Sequence, residues 1–551
     1  MTKMSGGEAL ISSLEREGVK VIFGLPGVQM YGVVDALRLN PNVNMIVPRH
    51  EQATSYMADG YARASRGIGV AMVVPGPGLY NAAAGLSTAY SSNSKVLMIA
   101  GQIPRDIIGK DMGGLHEVND QLETIKPVTK FQKRLLRPHE IPEGVSEAFS
   151  NLKNGRPRPV EIEMPPETMV EKEDVQLLEA SVFKRNEPKE NSIDEAVNMI
   201  LKAKNPIIYA GTGVIRSEAE EELLELTEST NIPVITSAAA KGVISDEHSH
   251  SLGSSLSGEG QLKNIMENSD LIIILGSRFA IRYPSALDTP KIQVEIDKSE
   301  IGKFHKKSVL PVIGDAKISI QKISQKIKDM GGTSFNSPSE KVKNIRKVLD
   351  SGVEGLHPQH DILNSLRKGI PNDAITVWDM TQMGYYSRSY WKTFNTSTYF
   401  DSSYSGNLGW AFPTALGAKV AKPELTVVSI SGDGGFMYNV QELSTAVKYG
   451  INIIAVVFND GFYGNVRRDL EMDWGGDYGT SFVNPDFAKM AETFGALGIK
   501  VNDPTKVHLA LEEAISANKP TLIEVNMMDT KDVPRPFSGR APWTLPQDGL
   551  L

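Results

Sequence analysis

Cysteine is absent from the 551 residues of this chain. Disulfide bonds, zinc–thiolate sites, iron–sulfur clusters and cysteine nucleophiles are therefore excluded. The chain also lacks the run of about 18 apolar residues that a membrane-spanning helix needs. Charged residues interrupt the N-terminal stretch where a signal peptide has its apolar centre. These absences predict a soluble, cytoplasmic protein with no membrane partner.

The chain has no excess of positive charge of the kind that indicates binding to nucleic acid. Lysine and arginine number 58 against 66 aspartates and glutamates, which gives a net charge of −8. Surfaces that bind nucleic acid carry clustered positive charge instead. The composition that remains, 40% hydrophobic and 23% charged, is that of an ordinary globular protein. We therefore predict no nucleic-acid partner.

Short apolar runs alternate with helical patterns from one end of the chain to the other. This alternation is typical of parallel sheets covered by helices, and a chain of this length has room for about three domains. Charged or polar stretches at 184–192 and 331–341 are predicted linkers. The sequence therefore predicts an α/β fold of three doubly wound parallel-sheet domains, at residues 1–183, 190–332 and 355–551.

The segment at residues 425–465 carries two carboxylates at the ends of predicted strands. The first strand runs into Gly432-Asp433-Gly434-Gly435, a predicted helix follows as far as Gly450, and the second strand ends at Asn459-Asp460. Neighbouring parallel strands end at the same edge of a sheet, so we expect the two aspartates to lie together there. Such a site suits Mg²⁺ and a phosphate group. A surface turn followed by a hairpin end is the alternative interpretation.

This arrangement resembles the cofactor motif of the thiamine-diphosphate-dependent enzymes, which is GDG followed after a helix and a strand by NN or a variant. The resemblance implies that Asp433, Asp460 and the main-chain carbonyl of Phe462 bind Mg²⁺. Asp460 stands where the family usually has Asn, and it adds a negative charge. Other residues of the motif are implied to contact the cofactor: Gly432, Gly434, Gly435, Asn459 and Tyr463.

A second stretch, HEQATSYMADGYARA at residues 50–64, is similar to the family's cofactor-activating segment. The resemblance implies that Glu51 hydrogen-bonds N1′ of the aminopyrimidine ring and so promotes loss of the C2 proton. Without its flanking sequence, Glu51 would be interpreted as stabilising a helix N-terminus. Three further matches imply cofactor contacts: Gly27 in FGLPG near the pyrimidine, Gln382 in WDMTQ at the diphosphate, and Leu408 in SGNLGW as a wedge between the two rings.

Over its whole length the chain resembles the acetolactate synthase large subunits of this family, which decarboxylate pyruvate and join the product to a second 2-oxo acid. Matching segments include IAGQIP, NIPVITS and IQVEIDKSEIGK. The resemblance implies a transferase or lyase with a pyrimidine-binding N-terminal domain, a central domain and a diphosphate-binding C-terminal domain. Because the family holds the cofactor between subunits, it also implies a homodimer or homotetramer. The sequence leaves open whether a regulatory subunit binds.

Three positions near the implied substrate site depart from the acetolactate synthase pattern. Val28 replaces a glycine near C2, Leu115-His116 replaces a Phe-Gln pair, and Arg468-Asp469 replaces a Gln-Trp pair. His116 is therefore the predicted proton donor or substrate-orienting group, with a structural role as the alternative. Arg468 is a candidate for binding a substrate carboxylate in bidentate fashion, with a solvated surface role as the alternative.

Further departures bear on the second cofactor and on the reaction. RFAIR (278–282) and SGEG (257–260) replace family segments near FAD, which makes FAD doubtful. The loop NDGFYGNVRRD resembles benzoylformate decarboxylase, although Val74 and Pro284 stand where that enzyme has its active-site histidines. We predict decarboxylation of a small 2-oxo acid, pyruvate first, with carboligation. A non-ligating 2-oxo acid decarboxylase and a flavin-dependent pyruvate oxidase are the alternatives.

Overall fold

The structure is a computed structural model that describes residues 1–254, 265–280, 288–304, 308–351, 356–528 and 530. Three six-stranded sheets occupy successive parts of the chain, and helices flank each of them. Among the described residues, no helix is long and apolar enough to cross a membrane.

The first domain contains one parallel sheet and a small antiparallel pair. The pair consists of β1 (Thr2–Ser5) and β8 (Lys172–Val175). The strands of the sheet are β2 (Val21–Gly24), β3 (Asn44–Ile46), β4 (Gly69–Val73), β5 (Val96–Gly101), β6 (Phe131–Arg134) and β7 (Val160–Met164). The helices are Gly6–Arg16, Tyr31–Leu39, Glu51–Ser65, Pro77–Ser91, Gln121–Ile125, Ile141–Lys153 and Pro166–Val170.

The central domain contains the second parallel sheet. Its strands are β9 (Pro206–Ala210), β10 (Val234–Thr236), β11 (Ser251–Ser254), β12 (Leu271–Leu275), β13 (Lys291–Glu295) and β14 (Val309–Ile313). Its helices are Glu190–Lys202, Thr212–Arg216, Glu220–Thr230 and Ala316–Asp329, and the helix Ser339–Ser351 follows them in the chain.

The third domain contains the third parallel sheet. Its strands are β15 (Ile375–Trp378), β16 (Tyr399–Phe400), β17 (Val427–Gly432), β18 (Ile454–Asn459), β19 (Leu497–Val501) and β20 (Thr521–Asn526). Its helices are Gln359–Gly369, Gln382–Tyr390, Ala411–Ala421, Asp433–Phe436, Leu443–Tyr449, Gly464–Trp474, Phe487–Thr493 and Val507–Ala517.

The strand orders show that the first and third domains share one topology. Their orders are β3-β2-β4-β5-β7-β6 and β16-β15-β17-β18-β20-β19, so both read 2-1-3-4-6-5 when strands are counted within each sheet. The central order, β11-β10-β9-β12-β13-β14, reads 3-2-1-4-5-6, the order of dinucleotide-binding sheets. The prediction of three doubly wound domains is confirmed, while their exact limits stay a prediction.

The sheet interiors explain why apolar runs revealed most of the strands. Every residue of β4 and β5 is buried, because helices cover both faces of a parallel sheet. The apolar runs of the sequence do not include β6, β11, β16 or β19, and each of these is an edge strand. β6 and β19 are mostly half-buried and carry polar residues, whereas β11 and β16 are largely buried but have only four and two residues. Phe131–Arg134, for example, reads FQKR.

The helix predicted between Gly435 and Gly450 is wrong as a single helix. The structure has a short helix, Asp433–Phe436, then a 3₁₀ turn at 440–442, and then Leu443–Tyr449, which ends at Gly450. Asn439 lies at the break, outside the helical region with φ of −133°. Its side chain donates to the Gly409 carbonyl at 2.7 Å, so an interaction outside the helix competes with helical continuity.

The first and third domains share one hydrophobic core across their contact. The helices Glu51–Ser65 and Ala411–Ala421 meet there backbone to backbone. A Cβ on Gly60 would lie 1.9 Å from the Thr414 carbonyl oxygen, and a Cβ on Gly417 would lie 1.9 Å from that of Met57. Only glycine fits at these two crossing points.

Candidate active site

Asp433 and Asp460 follow the neighbouring strands β17 and β18 of the third sheet. Asp433 is 2% exposed, and its carboxylate accepts three hydrogen bonds. The Gly434 N–H donates to Oδ1 at 2.8 Å, while the Gly461 N–H and the Asn484 side chain donate to Oδ2 at 2.8 Å and 2.6 Å. These bonds fix the carboxylate at the carboxyl edge of the sheet.

The electrostatics of this edge favour a bound cation. Burial raises the pKa of Asp433. Burial, and after it the negative charge of Asp433, raise the pKa of Asp460 to about 6. A divalent cation favours the ionised form of both groups, since a nearby opposite charge lowers a carboxyl pKa. Carboxylates, a main-chain carbonyl and phosphate oxygens form the oxygen-only ligand set that Mg²⁺ requires.

A cavity of about 230 Å³ opens beside these carboxylates. Most of the residues predicted for the metal and the cofactor line it: Gln382, Leu408, Gly432, Asp433, Gly434, Gly435, Asp460, Phe462 and Tyr463. The buried Gln382 Oε1 has no hydrogen-bond partner within the described part of the chain. Because amide oxygen and nitrogen are assigned from their contacts, this side chain is free to turn its NH₂ toward a phosphate. The residues present fit a metal-bound diphosphate.

Glu51 is the first residue of the helix Glu51–Ser65. Its side chain is 16% exposed and accepts a hydrogen bond from Asn81 Nδ2 at 3.1 Å. Glu51 does not line the cavity beside Asp433. The adjacent Gln52 contacts the third domain, because its Nε2 donates to the Tyr438 carbonyl at 3.0 Å.

Family models match three stretches of the chain. The N-terminal binding domain of thiamine pyrophosphate enzymes matches residues 4–124, their central domain matches 193–323, and their C-terminal binding domain matches 379–525. This chain belongs to the thiamine pyrophosphate enzyme family. Its cofactor is thiamine diphosphate with Mg²⁺, as predicted.

Curated relatives of this thiamine pyrophosphate enzyme match it nearly from end to end. Proteins of Methanococcus aeolicus and Methanocaldococcus jannaschii, both named probable acetolactate synthase large subunit, are 33% and 34% identical to it. The matches cover 95% and 98% of this chain, and 92% and 94% of the relatives. The acetolactate synthase isozyme 3 large subunit of Escherichia coli is 29% identical over 94% of this chain and 93% of its own. The predicted resemblance to acetolactate synthase large subunits is confirmed.

Three other predicted site residues of this thiamine pyrophosphate enzyme do not line the cavity: Gly27, His116 and Asn459. The Asn459 side chain donates to Glu524 Oε1 at 2.9 Å and accepts from Asn484 Nδ2 at 2.9 Å. It therefore supports Asn484, which in turn holds Asp433. His116 adopts a left-handed backbone with φ of 67°, and its buried Nδ1 has no partner among the described residues.

Arg468 lies near the cavity on the helix Gly464–Trp474, which has no buried residue. Its guanidinium contacts Asp469 Oδ1 at 3.3 and 3.4 Å. It also interacts electrostatically with Tyr385, a residue of the cavity wall. Arg468 thus lies near the cavity, and its predicted role in binding a substrate carboxylate stays a prediction.

Asn484 and Asp379 are site residues that sequence reasoning missed. Asn484 is 51 positions from Asp433 in the chain, and folding alone brings the two together. Asp379 lies behind the cavity wall, where its carboxylate accepts from the Gly409 N–H. Asn484 belongs to no recognised motif, and the segment WDMTQ, which contains Asp379, is matched to the family only through Gln382, so the sequence does not single out either residue.

A separate cavity of about 440 Å³ lies at the carboxyl ends of the strands of the central domain, where the resemblance locates FAD, and residues of all three domains line it. This cavity shares no lining residue with the one beside Asp433. Arg278, the first residue of RFAIR, donates to Glu300 Oε2 at 2.8 Å. Residues 281–282 of RFAIR, the segment SGEG and Pro284 lie outside the described residues. The prediction about FAD therefore stays a prediction.

Proposed function

We propose that this enzyme decarboxylates a 2-oxo acid, pyruvate first, and joins the remaining fragment to a second 2-oxo acid, as an acetolactate synthase does. The observation that carries the proposal is the cavity beside Asp433 and Asp460, in a chain similar throughout to acetolactate synthase large subunits. Bound thiamine diphosphate supplies the nucleophilic carbon and the electron sink for this chemistry. We also propose the domain limits 1–183, 190–332 and 355–551.

The proposed role of the third domain is to hold the metal and the diphosphate. Asp433, Asp460 and the main-chain carbonyl of Phe462 bind Mg²⁺. Asp433 is oriented for this by the hydrogen bonds that it accepts from Gly461 and Asn484. The turn at 432–435, together with Gln382 and Tyr463, would hold the diphosphate, and Leu408 would be the wedge between the two cofactor rings.

The proposed role of the first domain is proton transfer. Glu51 holds the proton at N1′ of the aminopyrimidine, and the Asn81 amide at 3.1 Å orients its carboxylate without neutralising it. Gly27 leaves room for the pyrimidine ring. His116 donates a proton to the substrate or orients it, and Arg468 binds a substrate carboxylate.

We further propose that each active site needs two copies of the chain, in a homodimer or homotetramer. The cavity beside Asp433 is lined by residues 380–527 alone, whereas Glu51, Gly27 and His116 belong to the first domain. A second copy that brings its Glu51 to the open side of this cavity completes the site. Relatives are named large subunits, and a small regulatory subunit is proposed on that ground.

Subunit sharing is tested by co-expressing differently tagged Glu51→Gln and Asp433→Ala chains and purifying the mixed dimer. If the site is shared, one of the two sites in this dimer receives both intact residues, and activity recovers to about half of the wild-type value. If each chain forms its own site, every site lacks one residue and the mixed dimer stays inactive. The two homodimeric variants are the controls.

The reaction itself is tested by incubating the enzyme with thiamine diphosphate, Mg²⁺ and pyruvate, with and without FAD. Acetolactate supports the proposal. Acetaldehyde alone indicates the non-ligating decarboxylase, and an oxidised two-carbon product such as acetate that forms only with FAD indicates the flavin-dependent oxidase. Pyruvate that remains unconsumed contradicts the proposed substrate.

A further inference from the structure

The turn that carries Leu408 is anchored on the side that precedes this residue. Asn407 Oδ1 accepts a hydrogen bond from Thr88 Oγ1 at 2.9 Å, and Asn407 Nδ2 donates to the Tyr56 hydroxyl. Thr88 and Tyr56 belong to the first domain, on the helices Pro77–Ser91 and Glu51–Ser65. Leu408 itself faces the cofactor cavity.

Hydrogen bonds hold both backbone polar groups of Gly409, the residue after Leu408. The Gly409 N–H donates to Asp379 at 3.2 Å to Oδ1 and 3.0 Å to Oδ2. The Gly409 carbonyl accepts from Asn439 Nδ2 at 2.7 Å. Asp379 and Asn439 are called the Gly409 clamp below. They come from different elements, since Asp379 follows β15 and Asn439 follows the short helix that starts at Asp433.

Gly409, which the clamp holds, packs directly against the metal-binding segment that starts at Asp433. Gly409 has φ of 75°, and a Cβ there would lie 2.5 Å from Tyr438 Cβ and 2.9 Å from the Gly435 carbonyl. The turn therefore packs closely against the segment that starts at Asp433. Any displacement of Gly409 changes the depth to which Leu408 enters the cavity.

The clamp contains a buried acid, Asp379, and both of its carboxylate oxygens accept from the Gly409 N–H. Asp379 is 3% exposed, and burial raises its pKa to about 7. Asn439 is 1% exposed. Buried polar side chains with perturbed ionisation cluster at functional sites more often than in ordinary turns.

We propose that Asp379 and Asn439 are positioning residues that fix Leu408 at the depth required for loss of the cofactor's C2 proton. This inference rests on the proposed function, in which Leu408 is the wedge between the cofactor rings. Neither clamp residue touches the cavity, because neither lines it. They act through Gly409, and a wedge displaced by about 1 Å lowers the rate about 10- to 100-fold.

The test measures exchange of the C2 proton of bound thiamine diphosphate for deuterium, by NMR after acid quenching, in the holoenzyme. Asp379→Asn places an amide donor beside the Gly409 N–H, and Asn439→Ala removes the donor to its carbonyl. Each is expected to slow exchange about 10- to 100-fold, while cofactor affinity in calorimetry changes by less than about threefold. Leu408→Ala is the reference variant, because it removes the wedge side chain itself and shows how slow exchange becomes without it.

Asp315→Asn is the matched control, because Asp315 is also buried and also accepts backbone N–H groups, at the start of the helix Ala316–Asp329 in the central domain. It is expected to leave exchange at the wild-type rate. Asp379→Asn and Asn439→Ala change different hydrogen bonds of the clamp. If one of them fails to fold, the other alone still tests the proposal. Wild-type exchange in a folded clamp variant, with slow exchange in Leu408→Ala, would overturn the clamp alone. Wild-type exchange in Leu408→Ala would overturn the clamp and the wedge together.

Discussion

Replacing Gly60 with alanine tests how closely the first and third domains must approach. The helix Glu51–Ser65 carries Gly60 at its crossing with Ala411–Ala421, and an added Cβ would lie 1.9 Å from the Thr414 carbonyl oxygen. Carbon–oxygen contacts need about 3.3 Å, so the helices have to separate by more than about 1 Å. A backbone oxygen inside a helix cannot rotate away from the added methyl group.

Two opposing effects decide the sign of this change. Alanine is favoured over glycine inside a helix by about 1 kcal/mol. Overpacking a tight core costs about 1–3 kcal/mol and more where the backbone must shift. The second effect wins here because the obstacle is backbone, so we expect a net loss of about 1–2 kcal/mol. Since the same helix begins with Glu51, we also expect turnover to fall about 10- to 100-fold.

The assay is urea unfolding of the cofactor-free protein, followed by circular dichroism, with turnover measured on the holoenzyme. Gly476→Ala is the control, because no heavy atom lies within 4 Å of a Cβ at that exposed position. The control is expected to stay within about 0.5 kcal/mol of the wild type. A Gly60→Ala protein as stable and as active as the control would refute the close-packing argument.

Three further predictions concern separate parts of the molecule. Burial, and after it the negative charge of Glu163, raises the pKa of Glu161 far above its usual range. The folded state therefore holds this proton more tightly than the unfolded state and loses stability as pH rises above about 4.3. Glu161→Gln should make the urea midpoint fall less steeply with rising pH, and the same pH dependence in variant and wild type would contradict this. Asn484→Leu removes a 2.6 Å hydrogen bond to Asp433 and should weaken Mg²⁺ binding about tenfold in calorimetry. An unchanged Mg²⁺ affinity would contradict this prediction. The purified enzyme should lack flavin absorbance and gain no activity from FAD; a co-purifying flavin would show this expectation to be wrong.

The sequence predicts well those features that burial or a local motif determines. Buried central strands such as β4 and β5 are continuous apolar runs, whereas the edge strand β6 is polar and escapes detection. The strand ends that carry Asp433 and Asp460 are recognisable because the motif and its strands are contiguous in the chain.

Contacts between distant segments are not predictable in this way. The Asn439 side chain breaks the expected helix by bonding Gly409, 30 positions earlier in the chain. Asn484 bonds Asp433 across 51 positions of the chain, and no local pattern marks this contact.

In the proposed mechanism, Glu51 takes part in transfer of the proton whose loss activates the cofactor for attack on a 2-oxo acid. The most direct measurement is release of labelled CO₂ from 1-¹³C-pyruvate by wild-type and Glu51→Gln enzymes, with thiamine diphosphate affinity measured in parallel. We predict that the variant binds the cofactor nearly as well and releases CO₂ about 10²- to 10⁴-fold more slowly. A variant that releases CO₂ at the wild-type rate would contradict the claim.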